Sequence, residues 1–106
     1  QGGDEFGVLL PSCTLAQARR IAESLRQSVG EISVTHQGKQ YMVTLSIGVT
    51  TFDEEDSNVS DVLARADAGS YKAKGLGRDG VVVNMPHNND MPHNNDDVMA
   101  LFDSPK

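Results

Sequence analysis

Cysteine is nearly missing from this chain. Cys13 stands alone among 106 residues, so no internal disulfide can form, which fits a reducing compartment. A basic surplus is missing too. Nine Lys and Arg face fifteen Asp and Glu, a formal charge of −6, which argues against nucleic acid or an anionic membrane as a partner of this segment. No apolar run is long enough to span a bilayer, and no export signal is visible. An initiating Met is absent as well. The length suits one small domain, and the start at Gln1 leads us to expect the C-terminal part of a longer protein or domain.

What is present is concentrated at the beginning. Gly2-Gly3-Asp4-Glu5 is followed by the apolar stretch Phe6-Gly7-Val8-Leu9-Leu10. Glycines permit close approach of another backbone or a ligand. Residues 6–10 have the length and composition of a buried strand, and the two acids are expected in or beside a tight turn at its mouth. Successive side chains on a strand point to opposite faces. Two readings stand side by side: an acidic surface turn, or a divalent-metal site for phosphoryl chemistry, since Mg²⁺ is usually held by one or two carboxylates plus substrate phosphates.

The remainder alternates helical and extended patterns. Thr14 and Gln17 form a capping-box pair. Leu15, Ala18, Ile21, Ala22, Leu25 and Val29 then recur at helical spacing up to Gly30. Arg19, Arg20 and Arg26 on the opposite face read as a phosphate patch or, more simply, a solvated face. Residues 31–35 alternate, Gln37-Gly38-Lys39 reads as a hairpin connection, and residues 41–51 read as one long strand with Gly48 marking a bulge or close backbone approach. His36 falls at the hairpin and reads as an exposed turn residue. An acidic loop over residues 53–56 precedes a second helix capped by Ser57 or Ser60, with Val59, Val62, Leu63, Ala66, Ser70 and Ala73 as its buried stripe. Gly69 costs that helix about 1 kcal/mol relative to Ala. Asp67, Lys74 and Arg78 fall on one face if helical geometry continues to Arg78. They read as an exposed acid–base ladder or as cations for nucleotide phosphates, which Arg grips bidentately. Gly80–Val83 reads as a last short strand.

After Asn84 the sequence MPHNND occurs twice, at residues 85–90 and 91–96. Such polar, Pro-containing sequence is expected to stay disordered. His87 and His93 offer at most a weak metal site. Residues 97–106, with Val98, Met99, Leu101 and Phe102, are expected to dock as a short helix or to remain a loose tail.

Gly2-Gly3-Asp4-Glu5-Phe6 resembles the signature of the GGDEF family, the diguanylate cyclases. Ser46-Ile47-Gly48-Val49, Ala66-Asp67, Tyr71-Lys72-Ala73-Lys74 and Gly77-Arg78 are similar to the family's later strand, last helix and following turn, in the family's order. The resemblance covers residues 1–83, and 84–106 is left as a low-complexity tail. It implies an α/β (α+β sandwich) architecture of nucleotide-cyclase palm-like type, truncated at its N-terminal side. It further implies condensation of two GTP into cyclic di-GMP with release of two pyrophosphates, in a homodimer whose two facing domains each hold one GTP. Two Mg²⁺ ions are implied in the complete domain. By the same resemblance Gly2 and Gly3 let the nucleotide approach, Asp4 is a metal ligand, and Glu5 helps hold the second metal or assists at the 3′-hydroxyl. Lys74 and Arg78 then contact the β- and γ-phosphates, and Phe6 is core. The GTP supply implies a cytoplasmic location, with any membrane anchor of the parent upstream.

The chain departs from the family's pattern in several places. The family's first strand, with a further metal-binding aspartate, its guanine contacts and its inhibitory product-binding motif precede the signature and are not in this sequence. Gly69-Ser70 replaces an apolar pair, and Asp79 stands where Asn is common. The 106 residues alone are therefore expected to lack cyclase activity. The alternative is a non-catalytic module that binds GTP or cyclic di-GMP, or that serves dimerisation. A fragment without function is the third reading.

Overall fold

The computed structural model describes residues 3–53, 55–86 and 97–105, so the MPHNND repeat lies almost wholly outside the described residues. The elements run β1 (Gly3–Leu10), α1 (Leu15–Gly30), β2 (Ser33–His36), β3 (Lys39–Met42), β4 (Ser46–Thr51), α2 (Val59–Gly75), β5 (Gly80–Val83) and β6 (Val98–Pro105). Four strands form the main sheet in the order β1-β6-β4-β5, and β2 and β3 form a separate hairpin. β6 is antiparallel to both β1 and β4, whereas β4 and β5 are parallel, joined by α2. The result is the mixed α/β architecture expected.

Strand parity sorts the core into two layers. Ile47, Val49, Val98, Ala100 and Phe102 face α1, where Ala18 and Ala22 are fully buried. Met99 and Leu101 face α2 and meet Val62 and Ala66. The sheet is thus a filling between two helices. Both helices pack over β4, β5 and β6. α1 starts as expected: Gln17 N–H donates to Thr14 Oγ1 and Thr14 N–H donates to Gln17 Oε1, both at 3.0 Å.

Gly48 marks a close approach. A Cβ there would fall on Ala66 O and Ser70 N of α2. Gly69 is its counterpart, with the Gly48 Cα 3.2 Å from where its own Cβ would stand. The helix-weakening glycine thus lets α2 lie directly on the strand. Ser70, beside it, is buried and its hydroxyl donates to Ser46 O at 3.4 Å.

Several expectations are corrected. β1 begins at Gly3, so Asp4 and Glu5 belong to the strand rather than to a turn beside it. Phe6 is not core: it is 56% exposed and stacks on Phe102 with ring centroids 5.1 Å apart. β1 is the sheet's edge and α1 does not extend over it. The stretch from Tyr41 to Thr51 is two strands, interrupted at residues 43–45, because β3 pairs away from the main sheet. Helix α2 is capped by Asn58, whose Oδ1 accepts from Asp61 N–H at 3.1 Å, rather than by a serine. Val59 is exposed, because α2 meets the sheet only from Val62 onward. Ile21 and Leu25 are also exposed; small alanines alone make the fully buried seam of α1. The largest difference is at the C-terminal end. Residues 98–105 are neither helix nor loose tail. They form an inner strand whose residues from Val98 to Asp103 are all buried.

Candidate active site

One row of backbone pairs crosses the sheet near the start of β1. Glu5 lies opposite Asp103, Asp103 opposite Ser46, and Ser46 opposite Gly80. At about 4.8 Å per strand the row spans about 14 Å. Alternation turns the Asp103 and Ser46 side chains toward α2, together with that of Glu5. The C-terminal half of α2 lies over this end of the sheet and delivers Lys74, whose Nζ pairs with Asp103 Oδ2.

Charge is unevenly compensated here. Asp103 is 3% exposed and Lys74 28%. Asp103 Oδ2 makes no hydrogen bond of ordinary geometry among the described residues, and Lys74 is its ion-pair partner. Glu5 is exposed, yet its carboxyl is held above the ordinary range around 4.5. The facing Asp103 carboxylate is the main cause, followed by partial desolvation and Asp67, and Lys74 opposes them. Directly opposed like charges destabilise a ladder, so one cation is shared among three acids. Ser46 Oγ, buried beside Asp103, has no hydrogen-bond partner among the described residues.

The structure brings Glu5 and Lys74 together, and Asp67 with them. It places Arg78 apart from that cluster. Helical geometry ends at Gly75, and Gly77 enters the left-handed region with φ 118°. Arg78 N–H donates to Ala73 O at 2.9 Å and Gly77 N–H to Lys74 O at 3.2 Å, a Schellman closure. The shared helix face expected for Lys74 and Arg78 is therefore not formed. Arg78 is exposed on the turn leading into Gly80, which ends the row that starts at Glu5. Gly3 opens β1, while Gly2 and the Asp4 side chain lie outside the described residues. Among the described residues no group of three or more His, Cys, Asp or Glu is placed to hold a metal ion.

Asp103 was missed from the sequence. The signal was the apolar run Val98–Phe102 ending in an acid, which also suits a buried strand. Arg26 was missed as well, read as part of a solvated face.

The family model "Diguanylate cyclase, GGDEF domain" matches residues 1–80. The chain belongs to the GGDEF domain family. Among its relatives is the probable diguanylate cyclase DgcE of Escherichia coli, 36% identical over 85 residues, which are 80% of this chain and 8% of that protein. The response regulator PleD of Caulobacter vibrioides is 43% identical over 83 residues, 76% of this chain and 18% of that protein. Diguanylate cyclase A of Treponema denticola is 36% identical over 83 residues, 78% of this chain and 22% of that protein. The chain thus spans less than a quarter of the length of each of these GGDEF relatives. Among the described residues no helix is long and apolar enough to cross a membrane.

Proposed function

We propose that this chain is part of a diguanylate cyclase that condenses two GTP into cyclic di-GMP and two pyrophosphates, with two GGDEF domains facing each other and each holding one GTP. The observation that carries the reading is the intact signature Gly2-Gly3-Asp4-Glu5-Phe6, which runs into β1 from Gly3 onward, with Glu5 set beside Lys74 at one end of the sheet. On this reading Gly2 and Gly3 let the nucleotide lie close to the strand, and Lys74 and Arg78 bind the β- and γ-phosphates from two sides. Cations there stabilise the charge that builds on departing pyrophosphate.

The donor set suits Mg²⁺. Glu5 and Asp103 are hard oxygen donors held opposite each other at a cost in repulsion, and Ser46 Oγ is unpaired beside them. Glu5 and Asp103, opposite each other on one face of the sheet, are the described residues that would hold an ion there, and Asp4 is the further carboxylate that the signature supplies. Bound there, Mg²⁺ supplies charge neutralisation at the attacking and leaving oxygens. On this reading Lys74, which pairs with Asp103 here, reaches phosphate by releasing that carboxylate.

The test is mass spectrometry for cyclic di-GMP after incubation with GTP and Mg²⁺. It is run on the 106-residue chain and on the longer protein that carries it, each with Asp4→Asn alongside. The expected result is product from the longer protein only, lost by at least 100-fold in the variant. GTP binding without product in the longer protein would instead select the non-catalytic module.

A further inference from the structure

Three consecutive residues after α2 adopt left-handed backbone: Gly77 at φ 118°, Arg78 at 64° and Asp79 at 51°. Glycine does this freely, but Arg and Asp do so against the steric preference of L-residues. Such a conformation persists where its surroundings over-determine it. The Schellman bonds fix Gly77 and Arg78 on one side. On the other side Gly80 N–H donates to Leu45 O at 3.1 Å. Asp79, between them, is held by a side chain from the opposite face of the sheet. Arg26 of α1 donates through Nη1 to Asp79 Oδ1 at 2.9 Å, and through Nε to Glu23 Oε1, also at 2.9 Å.

Arg26 is the best covered of the three, its side chain 22% exposed against 43% for Asp79 and 47% for Glu23. Glu23 lies one turn earlier on the same helix and orients the guanidinium. Both partners hold the Arg26 charge still more firmly than usual, Asp79 first. A planar fork with two fixed partners is a directional strut, which an ammonium cannot reproduce. An exposed ion pair contributes little to global stability. This one instead spans 53 residues of sequence to reach the single segment, among the described residues, where non-glycine backbone is held left-handed twice in succession.

We propose that Arg26 is a positioning residue for phosphate binding: through Asp79 it holds the left-handed turn that presents Arg78 at the end of the sheet occupied by Glu5 and Lys74. The proposal rests on the reading of Arg78 as a phosphate contact, and its test separates the two.

Inorganic tripolyphosphate is titrated calorimetrically into the 106-residue chain, since it needs no base-recognising residues. Arg26→Met is expected to weaken binding about five- to tenfold with the melting temperature nearly unchanged. Arg26→Lys is expected to recover only part of the loss. Asp79→Asn, which still accepts the hydrogen bond and tolerates the left-handed region, should bind within twofold of the parent chain. In an Arg78→Ala background, Arg26→Met should add nothing further. Backbone coupling constants at Arg78 and Asp79, measured by NMR without ligand, should move from left-handed values in Arg26→Met. Unchanged couplings in that variant would overturn the strut. An Arg26 effect that persists in full without Arg78 would overturn its route. If Arg78→Ala leaves tripolyphosphate binding intact while the couplings still respond to Arg26, the phosphate reading of Arg78 fails and the strut survives it.

Discussion

Glu5 illustrates how a cross-strand neighbour sets the chemistry of an exposed residue. Its carboxyl is raised above the ordinary value of 4.5 mainly because Asp103 stands opposite it. The folded chain therefore holds the Glu5 proton more tightly than the unfolded chain does. Between the unfolded value and the raised one, the folded state binds more protons, so stability falls as pH rises through that window. Glu5→Gln removes this titration. The variant is expected to melt higher than the parent chain at pH 7, and the two curves should converge below pH 4. Thermal melts across pH 4 to 7 read this directly. Added Mg²⁺ should raise the melting temperature of the parent chain more than that of the variant. Asp103 itself is buried and depends on Lys74, and it was not legible as a site residue from its own neighbourhood in the sequence. Five apolar residues, Val98 to Phe102, ending in an acid fit a helix, a tail or a strand equally well, and only the slot between β1 and β4 decides among them.

The elements differ in how far local sequence specified them. α1 was readable in full at its start, because Thr14 and Gln17 satisfy each other's backbone partners without reference to anything distant. The β2–β3 hairpin was readable for the same reason: Gln37 and Gly38 both take positive φ, 53° and 78°, as a two-residue turn of the primed type requires. Helix α2 was readable in its register but not in its tolerances. Gly48 and Gly69 meet face to face across the strand–helix interface; Gly48 has no room for a methyl group, and one at Gly69 would press on Val82 O at 3.1 Å and on the Gly48 Cα at 3.2 Å. Gly48→Ala is expected to lower unfolding stability by about 3 kcal/mol or more, as overpacking against backbone allows little relaxation. Urea unfolding measures it. A companion Asn58→Ala should cost about 1 kcal/mol, the ordinary value of an N-cap, and gives the scale against which the glycine is judged.

For the whole molecule, β6 is the element on which the sheet depends. It pairs with β1 along its whole length and with β4 over six residues, and it contributes Val98, Ala100 and Phe102 to one core layer and Met99 and Leu101 to the other. Removing residues 97–106 would separate β1 from β4, expose ladder groups on both and unpair Lys74. The truncated chain is expected to lose cooperative unfolding, seen as a missing calorimetric transition and collapsed amide dispersion in NMR spectra. A sharp transition in the truncated chain would mean that β1 can pair with β4 directly.

The sequence by itself determined what rests on short-range chemistry. That covers the family, from an ordered set of motifs; both helices and their spacing; the hairpin turn; and the close approach at Gly48. It also determined the acidic balance and the lack of a bilayer-spanning run. Tertiary structure decided what depends on partners remote in the chain. It turned the last residues into the inner strand β6 and set Asp103 opposite Glu5. It left Phe6 at an uncovered edge, took Arg78 off the face of Lys74, and tied Arg26 to Asp79 across 53 residues. The physical reason is common to all five. A residue's helical or extended preference is set within a few neighbours, whereas burial, strand order and the compensation of charge are settled by whichever distant segment fills the adjoining space.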